Sequence, residues 1–264
     1  MKKIAILLLA ILTFSCSDDD EKSTEENKGQ WAMIFKETVK SDSNPVDRTE
    51  KFMFDGERLI QHIIKQRYFE EEISNEVNLS YSDNQVTVTT DYLTLVYTLN
   101  SEGYASQCVY SLSSQNRIYQ FSYSAEGYLT GIVENIDDTE YSSTSLTYEN
   151  GDITSISSKM NGLENKFIYE PGEESSTYHL PCLGLLEIHP LTFHIEALYA
   201  GLLGKDPRHF TMHSCPAGSN DEKTVYSYGF DKKGNPSRMI CQTTYAGGQA
   251  SYYPYTRNIS ISFE

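Results

Sequence analysis

The sequence predicts an all-β protein, a single large and highly curved antiparallel meander of about 14–16 strands with one short helical insertion. Three observations carry this. A turn motif recurs at a fixed period, and the segments between turns alternate apolar and polar residues. The 264-residue chain also holds 20 tyrosines and 11 phenylalanines, residues that favour half-buried strands. A twisted sheet of this size curls or closes, so a half-open barrel or roll is expected.

The first thirty residues stand apart. Lys2 and Lys3 precede Ile4–Leu12, an apolar run of signal-peptide length and shorter than the roughly 20 residues a spanning helix needs. It ends in Thr13-Phe14-Ser15-Cys16, which resembles a lipobox with Thr13 where a leucine usually stands. Residues 1–15 therefore read as a lipoprotein signal peptide and Cys16 as the lipidated residue. Residues 16–29 open Ser17-Asp18-Asp19-Asp20-Glu21 and contain no aliphatic side chain, the composition of a flexible acidic tether. An acidic run after the lipid cysteine resembles a surface-export signal of Bacteroidota. The expected location is the outer membrane, facing the cell surface, with the periplasmic face as the alternative.

Residues 30–264 are expected to form one domain. Tyr97-Thr98-Leu99-Asn100-Ser101-Glu102-Gly103-Tyr104 is echoed by Phe121–Tyr128 and by Leu146–Ile153, so that Gly103, Gly127 and Gly151 stand 24 residues apart. Related turns occur at Phe54-Asp55-Gly56, Tyr81-Ser82-Asp83-Asn84 and Phe230–Asn235. Each joins an aromatic strand end to polar residues and a Gly or Asn, which is hairpin chemistry. In Arg117–Tyr123 the residues Tyr119, Phe121 and Tyr123 share one face and Gln120 and Ser122 the other. Trp31 opens the first strand and is expected to plug the core. Gln107, Gln120, Ser122, Glu134, Ser143 and Ser145 leave neither face apolar for long, which argues against a membrane-spanning barrel.

The rhythm breaks at Pro171-Gly172. Leu191, Ile195, Leu198, Tyr199 and Leu202 recur at helical spacing, with Pro190 before them and Gly204 and Pro207 after. This predicts one helix of about 13 residues near 190–204, lying on the sheet or plugging its open end.

Charge and cysteines narrow the function. The net charge of −16 becomes −18 once Lys2 and Lys3 leave with the signal, which disfavours nucleic acid as a partner. Besides Cys16, the cysteines are Cys108, Cys182, Cys215 and Cys241, none in a C-x-x-C pair. Cys182 and Cys215 bracket the irregular segment and are the candidate disulfide, with free buried thiols as the alternative. His209, His213 and Cys215 are the nearest approach to a metal set. On a strand, however, His209 and His213 would stand about 13 Å apart, and no H-E-x-x-H occurs, so no metal or other cofactor is expected. The histidines are expected to cap the helix and line loops.

The stretch Gly201-Leu202-Leu203-Gly204-Lys205-Asp206-Pro207-Arg208-His209-Phe210, the [Phe/Tyr]-x-x-x-Gly hairpins and the Cys16 box together resemble a family of Bacteroidota lipoproteins. It is domain-of-unknown-function family 4595, described as having a porin-like fold. The resemblance covers residues 30–264 and implies a curved antiparallel sheet with one helical insertion. It supplies no reaction and no catalytic residue. The expected function is noncatalytic binding of a glycan, lipid or peptide by a membrane-anchored envelope protein. A structural or interaction subunit of an envelope complex is the alternative. A hydrolase is disfavoured because no G-x-S-x-G or paired acids in a recognisable frame occur.

Overall fold

The structure is a computed structural model that describes residues 29–39, 46–68, 71–112, 115–175, 185, 188–218, 222–245 and 255–264. The signal segment, Cys16 and all but the last residue of the tether lie outside the described residues, as does Cys182.

Sixteen strands follow one another. The first six are β1 (Gln30–Val39), β2 (Val46–Asp55), β3 (Arg58–Tyr68), β4 (Glu71–Tyr81), β5 (Gln85–Thr89) and β6 (Thr94–Leu99). Next come β7 (Ala105–Leu112), β8 (Gln115–Tyr123), β9 (Leu129–Ile136), β10 (Thr139–Glu149), β11 (Asp152–Met160) and β12 (Leu163–Ser175). After the insertion come β13 (His209–Pro216), β14 (Glu222–Phe230), β15 (Pro236–Tyr245) and β16 (Tyr255–Phe263). Every strand pairs antiparallel with its chain neighbours, and β1 also pairs with β16 from Met33↔Phe263 to Val39↔Arg257. The sheet is a closed barrel, which corrects the half-open expectation. Closure depends on pairing between residues more than 200 positions apart, and no local pattern announces it.

Alternation places the core inside. On β4, Val77 and Leu79 are buried while Glu76, Asn78 and Ser80 are exposed. On β8, Tyr119 and Phe121 are buried and Gln120 and Ser122 exposed, as their phase predicts. Trp31 stacks on Phe54 at 4.2 Å and donates to Gly56 O at 2.7 Å, packed against the core.

The hairpins of one end share a construction. Asn100 Oδ1 accepts from the amides of Glu102 and Tyr104, Ser124 Oγ from Glu126 and Tyr128, and Asp231 Oδ1 from Lys233 and Asn235. A short polar side chain thus satisfies amides the turn leaves unpaired. The ladder shifts register beside this end at Met53/Phe54, Thr98/Leu99, Ser122/Tyr123, Thr147/Tyr148 and Gly229/Phe230. Bulges bend and twist strands, and five on one rim draw that end inward.

The described part of the insertion, residue 185 and residues 188–204, lies in the lumen as a plug, with His189 against Glu134 and Glu196 against His62. It carries a 3₁₀ turn at Leu191–Phe193 and a single helical turn, α1 (Ile195–Tyr199). The predicted 13-residue helix is therefore much shorter. Its apolar spacing is real, but the segment is enclosed by the barrel, so Leu191, His194, Ala197, Leu198, Tyr199, Leu202 and Leu203 are all buried without a one-sided stripe. The chain leaving the plug then crosses the rim as a strap. Ala105 N donates to Leu202 O, Lys205 N to Gly127 O and Arg208 N to Gly151 O, at 2.8, 2.9 and 3.1 Å. Three extended residues span about 10 Å, close to the width of two strands, so the strap meets one hairpin of the 24-residue repeat every three residues.

Candidate functional site

In the lumen the sequence puts charge in the core phase. Glu134 stands two residues after Ile132 on β9 and is fully buried. His189 Nε2 meets it at 2.5 Å, Ser142 Oγ donates at 2.6 Å, Tyr119 OH donates at 3.2 Å, and Arg117 Nη1 lies at 3.2 Å. Burial pushes the Glu134 carboxyl up, but the bonds from His189 and Ser142 and the nearby charge of Arg117 outweigh it and hold it below the usual range.

A second clasp lies across the barrel. His62 on β3 is fully buried, with Nδ1 2.8 Å from Glu196 of α1 and Nε2 3.2 Å from Glu50 of β2. Both ring nitrogens face carboxylates, so both carry protons and the ring is cationic. Burial lowers its pKa, but the bonds to Glu196 and Glu50 raise it further, and the net shift is upward. Arg48 Nε completes the group as an ion pair 2.6 Å from Glu50, without an aligned hydrogen bond. Phe52 stacks on His62 at 4.0 Å and Tyr199 on Phe52 at 3.9 Å.

Between the clasps, His194 is buried edge-on to Tyr119, Tyr97 and Phe121. Its Nδ1 pairs with Tyr97 OH at 2.8 Å and its Nε2 has no partner. Burial pushes its pKa down to about 3, so it is neutral. His194 occupies the cap position of α1 but makes no side-chain capping bond.

The plug leaves part of the lumen unfilled. A cavity of about 600 Å³ lies beside it, walled by β11, β12, β13, β14, β15 and β16 and by Ile188 and His189 of the plug. Phe167, Tyr169 and Tyr226 supply rings, and Ser158, Ser214, Thr224 and Thr243 supply hydroxyls. Ser214 Oγ pairs with Tyr226 OH at 3.1 Å and Thr224 with Thr243 at 2.9 Å. Met160, Leu163 and Glu222 mark the lip, at the end of the barrel opposite the strap. β1 begins at the strapped end, where Gln30 pairs with Asp55.

The sequence-level candidates fall elsewhere. His209 Nδ1 pairs with Asp152 and His213 Nδ1 with Glu170, each at 2.8 Å. Among the described residues no group of three His, Cys, Asp or Glu is placed to hold a metal. Cys215 is half-buried opposite Ile168, and Cys108 and Cys241 are buried. The Cys182–Cys215 pairing lies outside the described residues. What the sequence reading missed is the pair of clasps. Their signal was available as phase: Glu134 follows Ile132, and His62 falls two residues before Ile64.

Residues 52–238 match the family described as a domain of unknown function (DUF4595) with porin-like fold. The chain belongs to this family. A porin-like protein from Bacteroides uniformis is 28% identical, with a TM-score of 0.80 over 88% of this chain and 96% of that one. A second porin-like protein, from Bacteroides vulgatus, is 12% identical with a TM-score of 0.54 over 87% and 97%, and shares the fold. No curated protein matches the chain. Within the DUF4595 fold, the G-L-L-G-K-D-P-R-H-F stretch has a structural meaning. It is the strap, with Leu202 and Leu203 buried, Gly204 against Gly127, and His209 tied to Asp152.

Proposed function

We propose that this protein is a lipid-anchored envelope protein whose barrel lumen holds a small ligand without transforming it. The observation that carries the reading is the cavity of about 600 Å³ between plug and wall, within the size range of small-molecule sites. Its mouth lies at the far end from Gln30, where the Cys16 tether joins the barrel. The outer wall suits water: Glu76, Asn78, Ser80, Gln120 and Ser122 stand exposed where a spanning barrel would present an apolar band. Ser142 donates to Glu134 and is fixed as a clasp, which favours a structural over a nucleophilic role.

Two measurements test this. Cys16→Ser should move the protein from the membrane to the soluble fraction, and retention in the membrane would refute the anchor. Equilibrium binding to glycan, lipid and peptide panels should find a saturable ligand that Thr243→Trp, filling the cavity, abolishes. Binding that is indifferent to Thr243→Trp would remove the lumen from the account.

A second reading, an interaction subunit of an envelope complex, is favoured by Tyr92 and Leu163, which are 87% and 74% exposed at the open end. Cross-linking should then recover one consistent partner, lost in the double variant Tyr92→Ser with Leu163→Ser.

A further inference from the structure

We infer, resting on the lumen-binding reading above, that the ligand is an uncharged, hydroxyl-bearing ring compound of the chemical class of neutral sugars. His189 Nδ1 is its hydrogen-bond acceptor, and Phe167, the half-buried ring of the lining, is its stacking surface.

Charge argues first. Arg257, the guanidinium that borders the cavity, is already paired with both oxygens of Glu37, and the Nε2–H of His189 is taken up by Glu134. Glu222 adds an acid at the lip. An anionic ligand would lose its hydration without gaining a cation, which is costly in a partly enclosed site. A cation would face hydroxyls and rings deep in the site, with its only acid at the lip.

Hydrogen bonding argues next. Glu134 accepts from His189 Nε2, and a carboxylate partner fixes the proton on that nitrogen. The lone pair therefore sits on Nδ1, which has no hydrogen-bond partner among the described residues. The ring borders the cavity, and its side chain is 25% exposed. His189 is held at its backbone and its ring. Its carbonyl accepts from Thr144 and Ser158, both at 3.1 Å, and its ring meets Phe193 edge-on at 5.6 Å. An acceptor fixed this firmly awaits an O–H or N–H. The paired hydroxyls of Ser214 and Tyr226, and of Thr224 and Thr243, keep lone pairs that accept further bonds.

Shape completes the class. A hydroxylated ring offers C–H faces to aromatic side chains and hydroxyls that both donate and accept around its edge. An aliphatic chain would fill the same volume but leave Nδ1 and the hydroxyls dry and unpaired, the mismatch polar sites reject most strongly.

The test is calorimetric titration of the full chain with four neutral saccharides (methyl glucoside, maltose, cellobiose and N-acetylglucosamine), and with decanoate, decanol and spermidine. At least one saccharide should bind saturably. His189→Phe should weaken it tenfold or more, His189→Gln should restore part of the loss, and Thr243→Trp should abolish it. Because His189→Phe also strips a partner from Glu134, Phe167→Ala serves as an independent variant that leaves the clasp intact and should weaken binding about tenfold. Trp31 emission reports that the His189 and Phe167 variants keep their fold, and circular dichroism reports it for Thr243→Trp, which carries a second tryptophan. If decanoate, decanol or spermidine binds in a Thr243→Trp-sensitive way and no saccharide does, the lumen reading stands and the sugar class is overturned. If nothing binds, or Thr243→Trp changes nothing, both fall.

Discussion

His194 and His62 are both buried in the lumen, and their environments drive them to opposite protonation states. His194 is folded neutral, with a pKa of about 3, while in the unfolded chain it titrates near the ordinary value of about 6.5. A depressed histidine favours the folded state only while the unfolded form is also neutral, so stability falls as pH drops from about 6.5 towards 3. The loss reaches about 2 kcal/mol by pH 5. His62 acts on the other limb. Its folded pKa is raised, so its contribution is fully present below about 6.5 and is lost as pH rises through the raised value. Urea midpoints should therefore be highest near neutrality and decline on both sides. His194→Gln, which cannot titrate, should lower the midpoint at pH 6.5 yet flatten the slope between pH 6.5 and 5 by about one proton. An unchanged slope would remove His194 from the acid limb, because Glu134, with its lowered pKa, withdraws stability only below about 4.5. None of these roles was legible residue by residue. The phase of Glu134 and His62 placed them on the core side of their strands, but their partners Glu196 and His189 come from the insertion, whose path into the lumen no spacing reveals.

The hairpin repeat was legible because its chemistry is local. Asn100, Ser124 and Asp231 each close a turn with their own side chain, so a few residues suffice to specify it. The strap was legible only as a pattern without a meaning, since its partners are the glycines of distant hairpins. Two glycines with similar φ separate the local cost from the tertiary one. Gly103 has φ +86 and open space around its missing Cβ, whereas Gly204 has φ +88 and a Cβ there would lie 2.7 Å from Gly127 O and 3.1 Å from Leu129 N. Gly103→Ala should lose about 1 kcal/mol from the left-handed backbone alone. Gly204→Ala should lose at least about 1–2 kcal/mol more, because two backbone segments cannot yield as a side chain does. Denaturant unfolding of the two variants measures the difference, and equal losses would mean the strap does not hold the rim. The helix erred in the opposite direction. Leu191, Ile195, Leu198 and Leu202 have helical spacing, yet only Ile195–Tyr199 is helical, because an enclosed plug gains its burial from all sides and needs no continuous helix.

Closure belongs to the whole molecule. The meander could have ended in two free edges at β1 and β16, and the strand count and hairpin order would read the same. Pairing of Phe35 with Ile261 and of Lys36 with Ser260 removes both edges, and Arg257, Asn258, Ile259 and Ser260 of β16 have partners on both β1 and β15. Proline distinguishes the two states. On an edge strand alternate amides face solvent, so proline is tolerated at every second position. Within a closed barrel each substitution breaks a ladder bond and clashes with a neighbour. Single substitutions of Arg257, Asn258, Ile259 and Ser260 by proline should therefore all destabilise by about 3 kcal/mol or more, with no alternation between the pair Arg257 and Ile259 and the pair Asn258 and Ser260. Thermal unfolding of the four variants reads the pattern directly. Tolerance at one alternate pair would mean that the seam opens in solution, which would also let the plug and the cavity beside it relax.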